Sequence, residues 1–107
     1  LPALPLTMLC AHALECVFKA FLSRSGDDSR VLKPEVRHNL TALWTLAHGD
    51  GLGVTAEPPQ WAASLSDLHA APYYLRYSTG VHGLALPNQS EMAAGVSALL
   101  EQVRASL

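Results

Sequence analysis

The chain has 107 residues and a formal net charge of −2; half of its residues are hydrophobic and only 15% are charged. That length fits one domain, residues 1–107, with a single modest core. The slight acidic balance excludes a protein that simply coats nucleic acid, which shows a clear basic excess. So much apolar material predicts burial against a second copy of the chain.

The first helix is predicted from about Leu4 to Ser25. Pro2 and Pro5 stand at its start, where proline is tolerated, and Gly26 followed by Asp27-Asp28-Ser29 ends it. At about 100° per residue, His12, Glu15, Lys19 and Ser23 fall in one narrow polar stripe. Leu9, Ala13, Leu14, Val17, Phe18, Phe21 and Leu22 make an apolar surface wider than one core face needs. A helix apolar nearly all round is buried on several sides, so this one belongs at the centre of the domain, or in a dimer contact as well. Cys10 and Cys16 sit roughly 240° apart around its axis and cannot bridge each other. Both are expected as small buried apolar groups, in keeping with a reducing cytoplasm. Glu15 and Lys19 interrupt the best apolar run, so no membrane span is expected, and no signal peptide is visible.

The second helix covers roughly Pro34 to His48, with Leu40, Leu43, Trp44 and Ala47 at the i, i+3, i+4, i+7 spacing of a buried face. Its start has two readings: Pro34 in the first turn, or Asn39 capping a shorter helix. Gly49-Asp50-Gly51-Leu52-Gly53 ends it. A third helix begins near Pro58-Pro59, buries Trp61, Leu65 and Leu68, and stops at Pro72. The stretch from Tyr73 to Leu86 is aromatic, then loop-like, with room for a short hairpin. In the fourth helix Asn88-Gln89-Ser90-Glu91 matches a capping box, and Met92, Val96, Leu99, Leu100 and Val103 form the apolar stripe. The fold expected is therefore all-α, an up-and-down bundle of four main helices.

Few residues carry chemistry. His12, Glu15 and Lys19 share one face, with Glu15 and Lys19 in the favoured i, i+4 ion-pair order. Exposed, they form an ordinary solvated stripe; buried, each charge needs a partner and the cluster becomes a candidate site. His12 and Cys16 also stand at i, i+4, but nothing supplies the further ligands a zinc site needs, so no metal and no cofactor are expected. Arg24, Arg30, Lys33 and Arg37 form a local basic segment that Asp27, Asp28 and Glu35 partly cancel, which reads as a solvated loop. Tyr73, Tyr74 and Tyr77 are packing residues or base-stacking platforms. No nucleophile elbow and no phosphate-binding glycine loop is present.

One constellation resembles a known family. His12, Glu15, Lys19, Ala20 and Leu22 follow the form His-x-x-Glu-x-x-x-Lys-Ala-x-Leu. After the glycine turn at Gly26 come His38-Asn39-Leu40 and Leu43, and Arg76-Tyr77 follows the third helix. In this order and spacing, over Leu9 to Tyr77, the chain resembles the HEPN (higher eukaryotes and prokaryotes nucleotide-binding) domains. The resemblance implies a helical bundle associated with RNA or nucleotides, homodimeric and cytoplasmic. It further implies a place in a microbial toxin–antitoxin or defence system, with a cognate antitoxin or nucleotidyltransferase as partner. It also implies a binding site at His12, Glu15, Lys19, Arg37, His38 and Asn39. At a helix entrance, His38 and Asn39 equally well serve the backbone, and either way His38 is expected close to Glu15 or His12.

Ribonucleases of this family are similar in using Arg-x(4–6)-His, and Arg76 and His82 meet that spacing. Arginine would stabilise phosphate charge and histidine would act as general acid or base, so these two are the catalytic candidates of a metal-independent endoribonuclease. The segment follows Pro72 and carries Thr79-Gly80, which reads as loop rather than helix. A third reading is a homodimerisation module whose polar stripe is only solvated surface.

Overall fold

The computed structural model of the chain describes residues 3–70 and 86–107. Among the described residues it is a helical bundle without strands: α1 (Ala3–Leu22), a short 3-10 turn (Ser29–Leu32), α2 (Leu40–Gly49), α3 (Gln60–Ala70) and α4 (Gln89–Ser106). The expected stop at Pro72 and the hairpin weighed from Tyr73 onward lie outside the described residues.

α1 is the central element, packed against α2, α3 and α4. Its Leu14, Phe18 and Leu22 are wholly buried and meet Leu43 of α2, Leu65 of α3 and Met92 of α4 in one core. Phe18 stands edge-on to Trp44 (centroids 5.5 Å apart, 73°), and Trp44 stands edge-on to Trp61 (6.2 Å, 74°). This aromatic row joins α1, α2 and α3 in the geometry that ring quadrupoles favour. The Trp44 Nε1–H also donates to the Thr55 carbonyl at 2.7 Å, holding the α2–α3 connection on the core.

By length and composition α1 is apolar enough to cross a membrane, with a mean hydropathy of 1.4 in its best window. The sequence expectation that Glu15 and Lys19 break the run is corrected on that point. In the fold, α1 contributes to the core, Lys19 pairs with Glu15 one turn away on the same helix, and Glu15 is bonded to His38 and His69 of other segments.

Local chemistry sets the helix ends. α1 stops at Leu22, three residues before the expected Ser25. The Ser23 hydroxyl bonds back to the Lys19 carbonyl, the Arg24 guanidinium takes the Phe21 carbonyl, and Gly26 turns the chain at φ +99°. α2 begins at Leu40, not Pro34: the Asn39 side chain accepts the Ala42 N–H at 3.0 Å, while residues 34–38 form turns. Asn88 accepts the Glu91 N–H in the same way at α4. α2 ends in a Schellman arrangement, with Gly51 N–H on the His48 carbonyl and Leu52 N–H on the Ala47 carbonyl. Gly51 has φ +94°, a region that costs an L side chain about 1 kcal/mol. Gly51→Ala is therefore expected to lower unfolding free energy by about 1 kcal/mol, read by urea denaturation; an unchanged midpoint would contradict this account of the cap.

Three burial expectations are corrected. Leu9 (58% exposed) and Leu100 (44% exposed) lie outside the core, and Cys16 is exposed whereas Cys10 is buried. α1 packs against α4 more than against any other helix, and the buried residues Cys10, Leu14 and Val17 of α1 and Val96, Leu99 and Val103 of α4 belong to the one core, whereas those three residues stay outside it.

Candidate functional site

The polar residues of α1 do not stay together as a stripe. Glu15 points inward and is only 7% exposed, and a buried carboxylate demands partners. It has three. Lys19 Nζ lies 3.1 Å from Oε2, one turn along α1. His38 Nδ1 lies 3.1 Å from Oε1, reaching in from the turn before α2. His69 Nε2 lies 2.9 Å from the same Oε1, from the last turn of α3. One carboxylate thus ties together α1, the approach to α2, and α3.

Burial pushes the Glu15 carboxyl up, but hydrogen bonds from His69, His38 and Lys19, together with the Lys19 charge, outweigh it and hold the group at about 2. Glu15 is therefore ionised at neutral pH and only accepts. Both imidazole nitrogens facing it must then carry hydrogen. For His38 this fixes Nδ1 as the inward donor and turns Nε2 outward, on a side chain that is 68% exposed. The cluster is closed beneath, at Glu15 and His69 (16% exposed), and open above, at His38 and Lys19 (26% exposed).

Of the sequence candidates, Glu15, Lys19 and His38 meet. His38 lies beside Glu15, as expected. His12 does not join them: it is exposed, with Nε2 3.7 Å from Cys16 Sγ. Asn39 uses its side-chain oxygen on the Ala42 N–H as the α2 cap. Arg37 is exposed beside His38 in the same turn. Arg76 and His82 lie outside the described residues. His69 was missed by sequence reasoning. It follows no motif, and the available signal was its place one turn beyond Leu65 and next to Leu68, at the edge of the buried side of α3.

The basic segment resolves differently. Arg30 makes a two-pronged contact with Asp50, at 3.0 and 2.8 Å, and also takes the Leu22 carbonyl at 3.0 Å. Arg24 reaches Asp50 at 3.2 Å and lies over the Phe21 ring at 4.0 Å. Hydrogen bonds from Arg30 and then Arg24, with their charges, hold Asp50 at about 2 against a smaller upward push from burial. These arginines clamp the C-terminal ends of α1 and α2 to each other. That is a structural use of charge, and it replaces the expected freely solvated loop at these two residues.

Among the described residues, no group of three or more His, Cys, Asp and Glu side chains is arranged to hold a metal ion. Around Glu15 both imidazoles converge on a single carboxylate oxygen, not on a shared empty point. The cluster instead presents an outward imidazole nitrogen beside an ammonium group, and exposed Arg37 precedes His38 in the chain. No protein-family model, curated protein or solved structure matches the chain, so the functional reading rests on this geometry.

Proposed function

We propose that the chain is a HEPN-like helical module that associates with RNA or nucleotides as a homodimer, and that its ligand meets the open side of the Glu15 cluster. The observation that carries this reading is the buried, ionised Glu15 holding Lys19, His38 and His69 from three segments, with His38 turned out to solvent. A carboxylate sunk among apolar helices costs free energy that a hydrophobic residue would not, and such clusters, where they open to solvent, are candidate sites. The open side combines a cation and a ring nitrogen. Lys19 keeps ammonium protons beyond the one given to Glu15, and exposed Arg37 neighbours His38 along the chain; both suit phosphate oxygens. The outward His38 Nε2, the ring nitrogen not bonded to Glu15, suits a hydrogen bond to a ribose hydroxyl or a base.

The test is a thermal-shift series with ADP and a short single-stranded RNA. At ligand concentrations about 100 times Kd, binding adds about 2.7 kcal/mol to stability. The wild-type chain is expected to melt higher with at least one of these ligands. Arg37→Ala should melt like wild type alone and lose most of the shift. His38→Ala should lose the shift with slight destabilisation. Absence of any shift in wild type would remove the reading. A shift retained in both variants would move the ligand to another surface.

A further inference from the structure

The described residues include four histidines, and their ring nitrogens are placed differently. His69 is largely buried, with Nε2 committed to Glu15. His12 is exposed, and its Nε2 faces the Cys16 thiol at 3.7 Å. His48 is exposed in the last turn of α2, where Nδ1 donates to the Val54 carbonyl at 3.0 Å. His38 is mostly exposed and donates from Nδ1 to the Glu15 carboxylate at 3.1 Å. His38 and His48 thus share one geometry, an anchored Nδ1–H with Nε2 turned away from the anchor. They differ in charge. The anchor of His48 is a neutral carbonyl, and its ring lies at the negative end of a helix. The anchor of His38 is an ionised carboxylate whose other oxygen holds the Lys19 ammonium at 3.1 Å.

That difference bears on nucleophilicity. When an imidazole is neutral with its proton on Nδ1, the lone pair is on Nε2. Attack by Nε2 on an electrophile makes the ring cationic. At His38 that charge develops against Glu15, which stabilises it as it forms. The carboxylate by itself would repel an anionic electrophile, but Lys19 balances it and keeps ammonium protons for the oxygens of an incoming anion. A solvent-open nitrogen nucleophile beside a cation fits a phosphoryl group. We infer that His38 is a phosphoryl-acceptor site, modified at Nε2 by an activated donor of the phosphoramidate or phosphoanhydride class, with Glu15 as its positioning residue and Lys19 as counter-ion to the phosphoryl oxygens. In the transfer, the Nε2 lone pair forms the N–P bond as the bond from phosphorus to the leaving group breaks. The leaving group keeps that electron pair: ammonia departs from phosphoramidate, a nucleoside diphosphate from a triphosphate. The Nδ1 proton stays on the ring, held by Glu15, and nothing is oxidised or reduced. The site uses the cluster described above, but its reaction with phosphoramidate needs neither RNA nor nucleotide, so it succeeds or fails separately from the ligand reading.

The test treats the full chain with phosphoramidate at about pH 8, above the ordinary histidine range, and in parallel with ATP and Mg²⁺. Peptide mapping kept near neutral pH preserves the acid-labile N–P bond, and phosphorus NMR tells Nε2-phosphohistidine from the Nδ1 isomer. From phosphoramidate, His38 should be labelled at Nε2 about tenfold faster than His12 or His48. Label from ATP as well assigns a phosphoanhydride as the donor; label from phosphoramidate alone assigns a P–N donor. Glu15→Gln, held below its melting temperature, should bring His38 down to the rate of His48 and cost it the Nε2 preference. Lys19→Gln should slow His38 severalfold with the Nε2 preference kept. His48 serves as the internal reference, since its rate should not change in either variant. Should Glu15→Gln fail to fold, the wild-type rates and isomer decide alone. The assignment is overturned by a His38 no faster than His12 and His48, by label on His38 Nδ1, by equal His38 rates in wild type and Glu15→Gln, or by no label at His38 from either donor.

Discussion

Glu15→Gln is expected to destabilise the fold by about 3 kcal/mol at neutral pH. Its carboxyl, ordinarily near 4.5, is held at about 2 in the folded chain, and each pH unit of such a displacement corresponds to about 1.4 kcal/mol. The estimate agrees with the roughly 3–5 kcal/mol lost when one partner of a buried ion pair is removed. Gln preserves size but removes the charge. Its amide has one oxygen for three donors, Lys19, His38 and His69, and turns its own N–H groups toward whichever donors remain. In a domain of this length the melting temperature should fall by roughly 10 °C or more. A loss below about 1 kcal/mol, the scale of an exposed pair, would show that the cluster is solvated and would remove the basis for treating it as a site.

The same group makes a pH prediction whose sign follows from the depression. A carboxyl held lower in the folded state binds its proton more readily when unfolded. Its stabilising contribution is therefore complete above about 4.5 and is lost as pH falls toward about 2. Asp50 titrates in the same acid range, held down by Arg30 and Arg24, so the acid limb of wild type alone does not isolate Glu15. The difference between wild type and Glu15→Gln does. That gap should be constant from neutrality down to about 4.5 and close progressively below it. A gap independent of pH across that window would assign the lost stability to packing instead of charge.

Gly95→Ala is expected to destabilise by about 2 kcal/mol, against the direction that helix propensity gives. In an exposed helix interior, alanine would stabilise by about 1 kcal/mol. Gly95 of α4, however, lies directly against the Trp61 indole. A Cβ placed there would overlap the ring and stand 2.6 Å from Cε2. Trp61 cannot simply swing away, because it is stacked edge-on against Trp44, which in turn meets Phe18. Displacing it disturbs the aromatic row that joins three helices, and overpacking of this kind costs about 1–3 kcal/mol. Urea denaturation monitored by tryptophan fluorescence reads both the lost stability and the altered indole environment. Gly49→Ala is the control, since a Cβ at Gly49 meets nothing within 4 Å; it should be neutral or slightly stabilising. Equal responses at the two glycines would contradict the close approach of Trp61 to α4.

The outcomes at particular residues separate what was local from what was not. Asn88 and its helix were legible because a cap is a contact between a side chain and a backbone N–H three residues away. The buried face Leu40, Leu43, Trp44 and Ala47 was legible for a similar reason: periodicity records which side of a helix avoids water. The start of α2 was not, because Pro34 and Asn39 are both good local beginnings. The turns at residues 34–38 that carry His38 onto Glu15 decided between them. Burial around α1 was only half legible. An apolar surface that nearly encircles a helix does not say which strip a neighbour will cover, and the seating of α4 left Leu9 and Cys16 outside.

By itself, then, the sequence determined the helices, the Asn88 cap, the central place of α1, and the choice at Glu15 between a solvated stripe and a buried charge in need of partners. All of these depend on interactions within a few turns, whose energies are encoded by nearest neighbours along the chain. Only the tertiary structure decided that Glu15 is buried and that His69, 54 residues away, shares its oxygen with His38. It alone turned Arg24 and Arg30 onto Asp50 and made Gly95 a seat for Trp61. Contacts of that kind depend on the relative placement of whole helices. That placement is set by packing the entire core, so no local spacing of residues carries it.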